Sequence, residues 1–418
     1  MYSFKDFQIG VDQNGDKIFE KYVVLQKNLN KEDIDNLPLT KGFFDYNEEL
    51  AEFFKDCKIT HLIFGEKFNK LVCCSIDGSS RLPAVLTHLK FRDDSNFNQS
   101  VDNLPAGLKH LTFGRSFNQS VDFLPAGLKH LTFGRSFNQP VDNLPAGLTH
   151  LKFGDYFNNH FNQPVNNLPA GLTHLILWGD FNQPVDNLPS GLNHLEFGDY
   201  FNQSVNNLPT TLTHLEFGHG FNQPIDFLPT GLKHLKFGYN SKFNQPVDNL
   251  PVGLTHLEFA YNSVFNQPVD NLPAGLTRLT FYGEFNQPVC CSIDGHENKC
   301  SCPSRLPAGL THLEFGDYFN QPVDNLPSGL THLIFGRCFN KSVNNLPIGL
   351  THLTFSEQSY FNQPVDNLPV GLIHLIFGYY CAFNQSLTNL PSSLQKLVIP
   401  KKYNGEIILP NGCVLEKN

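Results

Sequence analysis

Along most of the chain, apolar and polar residues alternate within a short unit that keeps returning. Its signature is L-T-H-L-x-F-G, seen at Leu172-Thr173-His174-Leu175 and again from Leu254 to Phe259. Side chains two apart share one face of a strand. Leu111 and Phe113 therefore point into a core, while His110 and Thr112 point the other way. Gly114 permits a turn after the strand. F-N-Q-P/S-V follows, and D-N-L-P-x-G-L leads into the next strand. Pro105, Pro145 and Pro169, together with Pro140, Pro184 and Pro224, lack a backbone donor. That excludes a helix interior or a central strand at those places. The return segment is predicted to be extended or polyproline-like, with turns.

The clearest copy runs from Phe97 to Ser116, and 15 copies begin between Phe68 and Phe383. With KITHLIFG at Lys58–Gly65 they supply 16 strand motifs. One strand per copy, always in the same direction, predicts a parallel ladder. Each copy has too little apolar surface to fold alone, and stacking joins the Leu and Phe columns into one core. The predicted fold is a right-handed solenoid with about 16 short parallel strands. At ~4.8 Å per strand it would extend roughly 75 Å as a rod or arc.

A solenoid exposes apolar columns at both ends and needs caps. The expected division is an N-terminal cap over residues 1–57, the solenoid over 58–400 and a C-terminal cap over 401–418. Residues 4–25 predict a hairpin turning at Asn14-Gly15. The stretch Asn47 to Asp56 predicts a short helix with Leu50, Phe53 and Phe54 on one side, and Asp35-Asn36-Leu37-Pro38 echoes the repeat. At the other end, residues 401–418 predict one more strand pair over the last Phe column.

Composition follows from the repeat: the two Phe columns account for most of the 39 Phe, while Met and Trp occur once each. A formal net charge of −9 argues against a nucleic-acid footprint. No apolar run approaches the ~18–20 residues that span a bilayer, and the first residues do not read as a signal peptide. Ten clustered Cys suit reduced thiols, so a cytoplasmic setting is expected.

Three constellations are candidates for chemistry. A histidine column includes His174, His194, His214, His234 and His256, with Arg278 and Lys396 replacing it in two copies. It reads either as a metal- or anion-binding ladder or as a structural stack copied by duplication. Beside it runs a position that varies where the rest of the unit does not, including Ile176, Glu196, Glu216, Lys236, Glu258, Thr280 and Glu314. Exposed strand positions that vary are where a partner would be read. CCSIDG occurs twice, and the second copy gathers Cys290, Cys291, His296, Cys300 and Cys302, which could hold a tetrahedral zinc. No other cofactor is expected. An Asn column, Asn98, Asn118, Asn138 and onward, is expected to bond backbone groups of neighbouring copies. No catalytic motif emerges, and a repeat surface lacks the deep pocket catalysis prefers.

F-N-x-P followed by L-P-x-G-L-x-x-L-x-F-G resembles the FNIP repeat, found in social amoebae and in giant viruses that infect amoebae. The resemblance covers roughly residues 58–400. It implies a leucine-rich-repeat-like solenoid and a protein-interaction role, with virus–host interaction as the setting. Giant-virus relatives often carry an N-terminal F-box that recruits ubiquitin-ligase machinery. Residues 1–57 lack such an opening, so ligase components enter by family analogy alone. The expected function is a non-enzymatic scaffold that binds a protein partner, from an amoebal host, on the concave sheet face. The expected contacts are His174, His194, Glu196, His214, Glu216, His234, Lys236, His256 and Glu258. The alternative is a structural or virion-associated protein that self-assembles.

Overall fold

The computed structural model describes residues 3–11, 17–25, 32, 37, 39–48, 50, 52–72, 80–154, 159–289 and 304–418. The chain divides into two compact units, Met1–Phe201 and Asn202–Asn418. In the first unit the strands are β1 (Ser3–Val11), β2 (Lys17–Val24), β3 (Lys41–Phe44), β4 (His61–Phe64), β5 (His88–Phe91), β6 (His110–Thr112), β7 (His130–Phe133), β8 (His150–Phe153), β9 (His174–Leu177) and β10 (His194–Phe197). In the second they are β11 (His214–Phe217), β12 (His234–Phe237), β13 (His256–Phe259), β14 (Arg278–Phe281), β15 (His312–Phe315), β16 (His332–Phe335), β17 (His352–Phe355), β18 (His374–Phe377), β19 (Lys396–Ile399) and β20 (Val414–Lys417). The 16 expected strands are β4 to β19. Four more, β1 to β3 and β20, lie at the ends.

Within each unit the repeat strands pair in parallel and in register, so each column of the sequence becomes a column in space. His130 stands beside His150 and Phe133 beside Phe153, as His234 stands beside His256. The repeat strands β4 to β19 are only three or four residues long. The turn before each strand explains why. In L-P-x-G-L the carbonyl of Pro105 accepts from the Leu108 N–H at 3.0 Å, and the same bond recurs from Leu128 to Pro125 and from Leu254 to Pro251. Proline fixes φ where the turn begins and withholds no bond the ladder needs. After the strand the coils pass so closely that some copies have no room for a side chain. At Gly283, with φ +94°, a Cβ would lie 2.1 Å from the Ser263 carbonyl oxygen.

The core is the predicted set of Leu and Phe columns with a Val column added. Leu111, Phe113, Phe117 and Val121 are all buried, as are Leu215, Phe217, Phe221 and Ile225. The strand-end Phe stacks on the Phe that opens the following copy, with centroids 3.7 Å apart for Phe113 and Phe117. Phe117 then lies 6.1 Å from Phe137. Offset stacking adds to the burial of each ring.

At the N-terminal end β1 and β2 form an antiparallel pair, and β2 continues in parallel to β3, and β3 to β4. The Asn14-Gly15 turn lies outside the described residues, as do Asp35, Asn36 and Pro38. A 3-10 helix at Glu52–Asp56 occupies the end of the segment expected to be helical, with Leu50 and Phe54 buried. At the other end β20 pairs in parallel with β19, and Tyr403 stacks on Phe383 at 5.9 Å, continuing the aromatic column. Among the described residues no helix is long and apolar enough to cross a membrane.

Candidate functional site

The polar face of the strands carries both candidate columns. Its histidines are mostly half-buried rather than fully exposed, because each ring is covered by its neighbours. In the first unit His61, His88, His110, His130, His150 and His174 stack with centroids 4.0, 4.1, 4.3, 4.2 and 4.1 Å apart. In the second unit His214, His234 and His256 stack at 4.3 and 4.2 Å, and His312, His332 and His352 at 4.3 and 4.1 Å. Arg278 stands between these two runs.

Where threonine precedes the histidine it holds the ring at Nδ1, a device the sequence reading missed although the T of L-T-H-L was in plain view. Thr173 Oγ1 lies 3.1 Å from the Thr149 carbonyl oxygen, one copy earlier, and 2.9 Å from Nδ1 of His174. A carbonyl only accepts, so the hydroxyl proton lies between the two oxygens, and the hydroxyl oxygen accepts from Nδ1–H. The clamp repeats at Thr255 and His256, Thr311 and His312, Thr331 and His332, and Thr351 and His352. In the neutral ring Nε2 is then the acceptor.

Five histidines of the column lack the threonine: Lys109, Lys129 and Lys233 precede His110, His130 and His234, which keep their place in the stack, and two others depart from it. Asn193 replaces Thr before His194, whose Nε2 meets Glu196 Oε1 at 2.7 Å, and its ring moves to 5.5 Å from His174. Ile373 precedes His374, which turns edge-on to His352 at 82°.

This geometry argues against a metal ladder. Parallel stacked rings hold their in-plane lone pairs parallel, and a metal ion needs them to converge. Among the described residues no group of three or more His, Cys, Asp or Glu could hold a metal ion. Cys290, Cys291, His296, Cys300 and Cys302 lie outside the described residues.

The column lowers the basicity of its own members, chiefly through burial. Burial holds His130 below the ordinary imidazole range, and charge on His110 and His174 adds to this. In the second unit His234 and His256 are likewise lowered by burial first, His234 then by its histidine neighbours and His256 by Arg278 and His214. Repulsion between neighbours, which the spacing suggests as the cause, is the smaller contribution.

The variable column is shaped by its neighbours. In the first unit burial raises the Glu196 carboxyl, but the bond from His194, together with the His194 and Lys152 charges and Trp178, outweighs it, so the group ends below the usual range. Lys152 lies over the Trp178 ring at 4.1 Å. In the second unit Glu216 pairs with Lys236 at 3.0 Å. Burial raises Glu258 against the pull of Lys236, with Glu216 adding to the rise. Burial also raises Glu314, which bonds to the Tyr282 hydroxyl. The ends of this column are covered: Ile63 is buried with Tyr22 and Phe43, and Val398 is buried.

The Asn column forms a second ladder along the coil. Asn118 N–H donates to Asn98 Oδ1 at 2.9 Å, and Gln119 Nε2 reaches the same oxygen at 3.1 Å. The pattern recurs at Asn138 on Asn118, and at Asn266 on Asn244.

Comparisons with known proteins agree with this architecture. The FNIP Repeat family model matches residues 97–136, 117–143, 137–180, 161–200, 181–220, 201–240, 221–262, 303–338, 322–358, 339–380 and 361–402. Among solved structures, CroV588 of a giant virus, described as a novel circular LRR protein, is 42% identical with a TM-score of 0.69. The match covers 86% of this chain and 59% of CroV588, so the chain spans little more than half of that relative's length. An internalin, InlF from Listeria monocytogenes, shares the fold at 17% identity and a TM-score of 0.51, over 72% of this chain and 87% of the internalin. A comparison with curated proteins found no match. Repeat matches over more than half of the chain place it in the FNIP-repeat family, with a leucine-rich-repeat-like fold.

Proposed function

We propose that the chain is a non-enzymatic scaffold that binds a protein partner on the polar face of its strands. The observation that carries this reading is the contrast between two adjacent columns. One repeats histidine, mostly clamped by the preceding residue. The other changes from Ile to Lys, Thr and Glu while the rest of the unit is copied. A rigid regular frame holding a variable column presents a pattern, and mixed charged and apolar character suits a protein surface. The leucine-rich-repeat-like fold supports protein partners in general. Membership of the FNIP-repeat family, found in social amoebae and in giant viruses that infect amoebae, supports a partner from an amoebal host, met in the host cytoplasm.

The reading is tested by affinity capture from amoebal lysate, with the full chain as bait and mass spectrometry as readout, followed by measured affinities. Glu196→Ala, Glu216→Ala and Lys236→Ala should each weaken the captured partner, whereas Phe227→Ser, at an exposed position off the strands, should not. Self-association of the chain, insensitive to the three strand-face variants, would instead identify a structural assembly protein.

A further inference from the structure

We propose that the cavity beside Arg278 receives an acidic side chain of the protein partner, flanked by residues with hydroxyl donors. The inference rests on the scaffold reading above and specifies what that scaffold recognises.

Five cations stand on the strand face between β4 and β19: Lys90, Lys152, Lys236, Arg278 and Lys396. Four are satisfied within the molecule. Lys90 pairs with Asp93 at 3.5 Å, Lys236 with Glu216 at 3.0 Å and Lys396 with Glu416 at 2.8 Å, while Lys152 lies over Trp178. Arg278 is exposed and, among the described residues, has neither a carboxylate nor a ring. The two acids that flank Thr280 in the adjacent column meet other groups. Glu258 is influenced by Lys236 and Glu216, and Glu314 is bonded to Tyr282. The Arg278 charge is felt instead by the imidazoles on either side, His256 and His312.

Arg278 also opens the surface. The ring stack stops at His256 and resumes at His312. In the next column Thr280 stands between Glu258 and Glu314, a short side chain between two longer ones. The result is a cavity of about 310 Å³ lined by Arg278, Thr280, Glu314 and the rims of His312, His332 and His352. An unpaired guanidinium at its edge presents a planar fork that fits a carboxylate through two parallel N–H···O bonds. The three histidines, clamped at Nδ1 by Thr311, Thr331 and Thr351, present Nε2 as acceptors. They cannot bond a carboxylate while neutral, but they match hydroxyl or amide donors of the residues beside it. The site therefore distinguishes an acidic residue next to Ser or Thr from a basic or wholly apolar segment.

The test uses the full chain and a peptide array. Dodecapeptides carry a central Glu flanked by randomised positions, each paired with its Gln counterpart, and the retained peptides are measured in solution by fluorescence polarisation. Wild type should prefer Glu over Gln by roughly tenfold or more. Arg278→Gln should abolish that preference and Arg278→Lys should keep part of it, with unchanged melting temperatures because the side chain is exposed. His332→Ala should weaken peptides rich in Ser or Thr. If peptides bind and His332→Ala weakens them, but Arg278→Gln keeps the full Glu preference, the Arg278 inference is wrong and the scaffold reading stands. If wild type retains no peptide, or only Phe227→Ser weakens binding, both are wrong.

Discussion

Thr149 Oγ1 sits 2.9 Å from Nδ1 of His150 while its own proton goes to the Lys129 carbonyl oxygen 3.1 Å away, one copy back in the coil. One hydroxyl thus couples the ladder between copies to the tautomer of the ring beside it. That carbonyl already accepts the Thr149 and His150 N–H groups. Removing the hydroxyl therefore frees the ring without orphaning a backbone group.

Valine in place of Thr311, Thr331 and Thr351 should release three adjacent rings. The cost should be modest, about 0.5–1.5 kcal/mol per site, because only the hydroxyl bonds are lost. Imidazole nitrogen NMR should show the Nδ1–H form giving way to a mixture. An unaltered tautomer in the triple variant would mean that something other than the threonine holds the ring.

Phe217 is fully buried and stacks on Phe221 at 3.7 Å and Phe237 at 5.7 Å. Phe217→Ala should cost about 3–5 kcal/mol, the transfer term plus the cavity left in a column that cannot close up. Hydrogen exchange should rise in the neighbouring copies, across residues 214–243. Unchanged protection there would contradict the role assigned to the aromatic column.

Asn118 Oδ1 accepts from the Asn138 N–H at 2.9 Å and from Gln139 Nε2 at 3.2 Å. Asn118→Ala leaves that backbone donor without its partner and should destabilise by about 1–3 kcal/mol, toward the lower end because the position is only half-buried. Asn118→Asp keeps an acceptor in place and should cost less. Equal losses in urea denaturation would show that the side chain matters by packing rather than as an acceptor.

Acidification should loosen the protein. Burial, then neighbouring charge, holds His110, His130, His150, His312, His332 and His352 below the ordinary imidazole value of 6.5. The unfolded chain therefore binds more protons than the folded one at the same pH. The stabilisation is present above 6.5 and is lost as pH falls through the depressed folded values. A melting-temperature series downward from pH 6.5 should fall more steeply for wild type than for a variant with Gln at His110, His130, His150, His256, His312 and His332. Parallel curves would show that the column carries no pH dependence.

The sequence by itself determined the coil. Period-two alternation in L-T-H-L-x-F fixed which side chains face inward, and proline at two places per copy fixed where strands could not be. Both constraints are local and recur in every copy, so they are legible without coordinates. The same regularity made the Asn ladder readable, although its residues are half-buried rather than fully buried. Only the tertiary structure decided what depends on contacts between copies. Thr149 looks like a polar partner of the strand face until the carbonyl of Lys129 comes within reach of its hydroxyl. Ile63 looks exposed by alternation, yet Tyr22 and Phe43, from strands that no repeat motif announces, cover it. Arg278 reads as a simple substitution in a histidine column. That Lys236 and Lys396 are paired, that Lys152 lies over a ring, and that Arg278 borders a cavity depends on which side chains meet across strands 20 or more residues apart in the chain. Those distances are set by stacking, and no single copy contains them.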